Sequence, residues 1–337
     1  MELTEQFSQE CAAARNHCAL FNHPNRGVIE VRGEDRVTFL HNILSNDIKN
    51  LTAGKGTAAC FLNAQAKIIA GMNVLCFDEF LWLALEYSLK NKLVESLNKI
   101  IIMEQVELMD RSEELKLISI HGPKAKTLLE IVLNQEAPEE LLSHKTMAWE
   151  GIRITAIRIN LTGEIGYGIL IPKNNASSFE SKLDQCGAPL GLIHIQAASL
   201  ETLRIEAGIP RYGVDFDESH IPLEAGLEKT VSFTKGCFPG QEILARLDSR
   251  GGVSKKLCGL VLKGEVAAKK NARVTKEDNE VGYITSSIFS PTLKKTIAMG
   301  YLAKEYWKPG SPVVVTMENT KIPARVASLP FYSPHKH

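Results

Sequence analysis

The spacing of apolar positions changes several times along the chain, and each change outlines an element. "GVIEVRG" (27–33) alternates and predicts a strand. In "RVTFLHNIL", Val37, Leu40, Ile43 and Leu44 recur at helical spacing, and Asp35 is suited to cap that helix. "TAACFLN", "IIAGMNVLCF" and "FLWLALEY" read as three strands with the short turns "NAQAK" and "DE" between them, a meander. Ser88 then suits the cap of a helix, "LKNKLVESLNKIII".

A second unit follows. "LKLISIHG" is strand-like, and Pro123 sits where the helix "KAKTLLEIVL" can begin. "GIRITAIRIN" and "GYGILIP" are strands joined by "LTGEI". "ASSFESKLDQCG" and "IQAASLETLRIEAG" are helices, the last stopped by Gly208 and Pro210. Beyond the candidate linker "SRGGVSKK", short strands crowd together: "LCGLVLKG", "EVGYITS", "TIAMGYL", "SPVVVTM" and "IPARVASL". Closely spaced strands of this kind predict a small sandwich or barrel. The expected class is α+β. Residues 1–250 form an α+β region of two subdomains, with a break near 115–150, and residues 251–337 form an all-β domain.

Composition narrows the classes. At 44% hydrophobic and 23% charged, the 337 residues have ordinary globular usage and length for two or three domains. Lys+Arg and Asp+Glu both count 39, so no overall basic excess points to nucleic acid or an anionic membrane as main partner. A local basic groove stays open. "MELTEQFSQECAAARNHCALF" reads as a helix and not a signal peptide, and the apolar runs are far shorter than a membrane span. The seven cysteines contain no Cys-x-x-Cys pair, which removes a zinc ribbon and a thioredoxin-type motif. A cytoplasmic setting, or an organellar matrix in a eukaryote, is expected, with six cysteines as small buried hydrophobes.

The seventh is Cys237, in "TKGCFPGQEILARL". Ile243, Leu244 and Leu247 mark a helix starting near Pro239 or Gly240, with Gln241 and Glu242 in its first turn. Cys237 therefore lies just ahead of a helix N-terminus, where N–H groups and the dipole favour an anion. Lys235 is two residues away and Arg246 is on the helix; such neighbours raise a thiol's ionised fraction. Gly236 and Gly240 let the backbone approach a ligand. Spacing alone leaves two readings open, an activated thiol or a tight turn around an inert, buried cysteine.

Glu206, at the end of "SLETLRIEAGIP", lies in the last turn of a helix, where the dipole disfavours a carboxylate. Arg204, Arg211 or a ligand must compensate it. From spacing, a solvated glutamate or a local salt bridge is the simpler account, against recognition of paired N–H donors such as a pterin edge offers. "LTGEIGYGILIP" brings three glycines to a turn and strand, but not at dinucleotide-binding spacing. "AGKGT" lacks the first glycine of a phosphate loop, and nine scattered histidines give no metal-ligand spacing.

Taken in order, "LNAQAKIIAGMNVL", "LTGEIGYGILIP", "LRIEAGIPRYGVD", "IPLEAGL" and "GYITSSIFSPTLKKTIAMGYL…LPFY" resemble the glycine-cleavage T-protein, a tetrahydrofolate-dependent aminomethyltransferase, over nearly the whole chain. Within that superfamily, "KGCFPGQEILAR" resembles the signature of folate-binding YgfZ-type proteins. The resemblance implies a three-subdomain ring around a central folate site, closed by a small C-terminal β-barrel. It implies tetrahydrofolate, or a derivative, as the ligand. It makes Glu206 the pterin anchor, and gives Asn63, Tyr167 and Tyr212 to the pocket wall. Arg204, Arg211 or Lys67 would meet the anionic tail. T-proteins carry an aspartate pair after "LN…GG"; here Ala70 and Gly71 fall at those positions. Neither can move a proton, so aminomethyl transfer is not expected. The resemblance then implies help in assembling or repairing iron–sulfur clusters of target enzymes. Cys237 is its reactive group, kept ionised by Lys235 and Arg246. An aminomethyltransferase or related one-carbon transferase is the first alternative, and a non-catalytic folate sensor the second. No four-cysteine cluster site is visible, so stable cluster storage is not expected.

Overall fold

The computed structural model describes residues 5–249, 251–317 and 320–334. Met1–Thr4 of the N-terminal stretch, Arg250 of the "SRGGVSKK" linker and the last three residues of the all-β range lie outside the described residues. The chain opens with α1 (Glu5–Asn16) and β1 (Cys18–Asn22). The first unit follows as β2 (Gly27–Arg32), α2 (Arg36–Ile43), β3 (Gly56–Leu62), β4 (Ile68–Cys76), β5 (Leu81–Leu85), α3 (Lys90–Asn98) and β6 (Glu107–Asp110). Its sheet has the order β3-β4-β5-β2-β6.

The alternation along β4 divides the two faces of this sheet. Ala70, Met72, Val74 and Cys76 enter the core that holds Leu40 and Leu44 beside α2 and Leu93 and Leu97 of α3. Gly71, Asn73 and Leu75 take the opposite face. Neither expected cap forms. The Asp35 carboxylate instead accepts the Gln105 N–H at 2.8 Å, a tertiary donor that displaces the local one. Ser88 lies in a short 3₁₀ turn, Tyr87–Leu89, that runs into α3 without a side-chain cap.

The second unit contains β7 (Leu115–His121), α4 (Ala125–Leu133), β8 (His144–Trp149), β9 (Ile152–Ile159), β10 (Gly166–Pro172), α5 (Ala176–Gly187), β11 (Leu192–His194) and α6 (Ala197–Glu206). Its sheet has the order β11-β1-β7-β10-β9-β8, so the N-terminal β1 belongs here and the second unit is not contiguous in sequence. Strands β1, β6, β8 and β11 carry no long alternation and are short, which is why the apolar pattern does not reveal them. The helices α4 and α5 cover one face around Leu128, Tyr167, Ile169 and Phe179. The other face meets the first sheet, where Leu75, Val28 and Trp82 pack on Ile157 and Leu170. A leucine fully buried in such a seam contributes about 2 kcal/mol. Farther along, α1 and α6 cover Ala19 and Phe21 of the same face.

After α7 (Gln241–Ser249) the chain closes a six-stranded barrel. Its strands are β12 (Lys255–Leu262), β13 (Arg273–Lys276), β14 (Asn279–Ser290), β15 (Lys295–Ala303), β16 (Pro312–Met317) and β17 (Thr320–Ala327), in the order β12-β15-β14-β13-β16-β17. No described helix is long and apolar enough to cross a membrane.

Candidate functional site

The inner faces of the two sheets do not cover each other along their whole length. On β4, Gly71 and Asn73 remain half-buried, as do Phe21, Leu117 and Ile159 on the second sheet. Ser119, His121 and Gly168 alternate onto that same second-sheet face. A Cβ added at Gly71 would meet only Phe216, at 3.9 Å, whereas Ala70 is buried in the first unit's core. Of the two positions where the resemblance expects aspartates, only Gly71 faces this cleft. The Asn73 amide makes no hydrogen bond among the described residues, which leaves it available to a ligand edge. Ser119 Oγ lies 2.9 Å from both His23 Nε2 and His121 Nε2. Burial pushes the His121 pKa down to about 3, with Arg158 adding to it. Burial holds His23 well below its ordinary value too, helped by the Arg26 and Lys116 charges. Both rings are thus neutral, and sequence spacing gave no sign that they meet.

Glu206 is fully buried, and its compensating cation is neither Arg204 nor Arg211. Arg15 Nη2 donates to Glu206 Oε2 at 2.5 Å and Ser290 Oγ donates to Oε1 at 2.5 Å. Arg15 also donates to Glu164 at 3.1 Å and to the Thr162 carbonyl at 2.8 Å, and its guanidinium lies 3.7 Å from the centre of the Tyr332 ring. Glu206 therefore ties α1, α6, the end of β14 and the C-terminal segment together. Each carboxylate oxygen accepts one donor from the chain itself, and the side chain is fully buried. The sequence hid this because Arg15 and Glu206 are 191 residues apart. Beside the cluster is an open cavity of about 790 Å³ bordered by Cys11, Arg15, Glu164, Leu293 and Tyr332.

The Cys237 corner is a separate neighbourhood, packed on the first unit. Its helix α7 begins at Gln241, whose N–H is bonded to Phe238 O. Phe238 is buried with Leu62, Ala66, Ile68 and Phe216. Gly240 has φ +80°, and a Cβ there would lie 2.6 Å from Ala66 Cα, so this position accepts only glycine. Gly236 has open space around it. Cys237 is exposed, whereas Cys11, Cys18, Cys60, Cys76 and Cys258 are buried and Cys186 is intermediate. All seven thiols are free.

The expected activators of the thiol point elsewhere. The Lys235 amino group donates to the carbonyls of His41 and, at 2.7 Å, Leu44, closing the C-terminal end of α2. Burial pushes its pKa down to about 8, and among the described residues no hydrogen bond joins it to Cys237. Arg246 donates to Glu242 at 2.9 Å along the exposed face of α7.

The remaining expected residues scatter. Asn63 Oδ1 accepts the N–H groups of Gln65 and Lys67, both at 2.9 Å, which shapes the turn beneath Gly240. Tyr167 is packed in the second unit's core, on the face away from the cleft. Arg211 pairs with Glu201 at 3.1 Å, and Arg204 with Asp215 at 2.6 Å and with Glu201. Lys67 donates to Ser219 O at 2.6 Å. Of these, Tyr212 comes nearest Gly71: its hydroxyl is 3.4 Å from Ile69 O and its ring is edge-on to Phe216, the residue a Cβ at Gly71 would meet.

Two α+β units and a closed barrel joined in this way define the aminomethyltransferase fold. Residues 1–235 match the GCVT N-terminal domain, and residues 255–333 match the glycine cleavage T-protein C-terminal barrel domain. The chain belongs to the glycine cleavage T-protein family. An aminomethyltransferase of Halothermothrix orenii is 30% identical over 329 residues, covering 96% of this chain and 90% of that protein. One from Symbiobacterium thermophilum is 30% identical, with 99% and 92% covered. The crystal structure of glycine cleavage system aminomethyltransferase T from Bartonella henselae matches with a TM-score of 0.88 at 24% identity, over 97% of this chain and 90% of that one. At that identity the likeness is one of fold.

Proposed function

We propose that the chain binds a reduced folate, tetrahydrofolate or a derivative, between the two sheets, and that it does not carry out aminomethyl transfer. The observation that carries this reading is Gly71, the cleft-facing residue of β4 at a position where the family resemblance expects an aspartate. General acid–base or electrostatic help at a folate amine needs a titratable group within hydrogen-bond reach, and glycine has none. The cleft fits a folate in kind. Phe21, Leu117 and Ile159 offer apolar surface to the pterin plane, and Asn73 and Tyr212 offer polar groups to its edge. Bound tetrahydrofolate would supply a one-carbon acceptor; these residues would bind and orient it.

Chemistry would then rest with the exposed Cys237 in "KGCFPGQE", whose resemblance supports a part in assembling or repairing iron–sulfur clusters of target enzymes. Titration calorimetry with tetrahydrofolate tests the binding: Asn73→Leu should weaken it, and Glu206→Gln should leave it unchanged wherever the fold survives. A second reading, aminomethyl transfer, is favoured by the relatives at 30% identity that bear that name. Turnover of an aminomethyl-loaded carrier protein with tetrahydrofolate would establish that reading and remove the first.

A further inference from the structure

The zero net charge conceals an uneven split. Residues 1–254 hold 25 Lys and Arg against 33 Asp and Glu, whereas residues 255–337 hold 14 against 6. The barrel is thus strongly cationic on an anionic body, an asymmetry that steers anionic partners to one end of the molecule.

On the barrel's outer wall the charge borders a groove of about 600 Å³. Alternation sends Val313 and Val315 into the barrel core and turns Pro312 and Val314 outward. Val314 stands opposite Thr275 on one side and Pro323 on the other. Arg325 stands between Pro312 and Val261. The floor is therefore Val261, Pro312, Val314 and Pro323, and the rim carries Lys263, Lys276 and Arg325, with Glu277 the one acid lining it among the described residues. Lys263 and Lys276 form no ion pair among the described residues. Arg325 donates to Gly310 O at 3.1 Å. Lys270 and Arg273 lie farther along the same side, around a smaller opening of about 390 Å³ that includes Thr316 of β16.

We propose that this wall docks an acidic segment of a partner protein, with an aliphatic side chain seated on Val261, Val314 and Pro323 and carboxylates meeting Lys263, Lys276 and Arg325. A closed barrel has no free strand edge, so docking is through side chains and not by strand addition. Among the described residues the groove presents no aromatic ring for base stacking, which favours protein over single-stranded nucleic acid.

The test is fluorescence polarisation with the full chain and four labelled probes: a Glu–Leu repeat peptide, a Glu–Ser peptide of equal charge, a Lys–Leu peptide and a single-stranded RNA. The Glu–Leu peptide should bind best, and its binding should weaken as salt rises. The combined Lys263→Glu, Lys276→Glu and Arg325→Glu variant should bind it at least roughly tenfold more weakly, with thermal unfolding unchanged. Val314→Ser, a milder change, should weaken the Glu–Leu peptide and spare the Glu–Ser peptide. Equal binding to the charge-reversed variant, or tighter binding of RNA, overturns the proposal. So does a dimer in sedimentation that the charge reversal dissolves, because the occupant is then a second copy.

Discussion

The Glu206 cluster and the Cys237 corner look alike in sequence: each places a reactive side chain at a helix end, near basic residues and glycines. The fold treats them in opposite ways. Around Glu206, α1, α6, the barrel and the C-terminal segment converge, and the carboxylate is consumed by Arg15 and Ser290. Around Cys237 the neighbouring Phe238 is buried, but the cysteine itself stays exposed, and its cations serve a helix end and a neighbouring glutamate. Convergence of several elements turns a candidate ligand group into a structural tie. A thiol that no such convergence encloses stays at the surface.

The largest expected effect sharpens the first half of that contrast. Glu206→Ala removes one partner of a buried ion pair and should cost about 3–5 kcal/mol in urea unfolding. A loss below about 1 kcal/mol would mean that the cluster is not a tie. Next comes the cleft between these regions. Native His121 takes up its proton only near pH 3, whereas the unfolded chain does so near pH 6.5. Between those values the unfolded state holds more protons, so stability is complete above pH 6.5 and falls as the pH drops. By pH 5 His121 alone should remove about 2 kcal/mol, before carboxylates titrate appreciably. Equal urea midpoints at pH 7 and pH 5 would contradict a neutral, buried pair.

Smaller effects divide the Cys237 corner itself. Gly240→Ala forces a Cβ onto Ala66 at a positive φ and should cost about 1–3 kcal/mol, while Gly236→Ala should stay within about 0.5 kcal/mol. Similar costs at both would show that the turn yields. Smallest of all, Cys237→Ser should change stability by less than about 0.5 kcal/mol. In wild-type protein, peptide mapping should find Cys237 alkylated before the five buried cysteines. Slow labelling there would erase the contrast with Glu206.

Much of the framework was legible in residue order. The strand β2, the β3–β5 meander with α2 and α3, the β9–β10 pair and five of the six barrel strands follow from alternation and helical spacing, because those signals arise within a few residues; the four-residue β13 is too short to show one. The start of α7 at Gln241 and the stop after α6 were equally local, set by Gly240 and Gly208. The expected caps failed at Asp35 and Ser88. In the first case a tertiary donor, the Gln105 N–H, outcompeted the helix end.

By itself, then, the sequence determined the α+β class, the change to an all-β end, the absence of acid at Ala70 and Gly71, and Cys237 as the cysteine in a glycine-marked corner. Tertiary structure alone decided that β1 joins the second sheet, that Gly71 faces the cleft while Ala70 does not, and that Tyr167 turns into a core. It also decided that Arg15 satisfies Glu206 and that Lys235 closes α2. The reason is physical. Periodicity records which side of an element is apolar, but a buried charge is satisfied by whichever donor the packed chain brings within about 3 Å. Here the partners lie nearly two hundred residues away, the donor Arg15 being 191 residues from Glu206 and the acceptor carbonyl of Leu44 191 from Lys235.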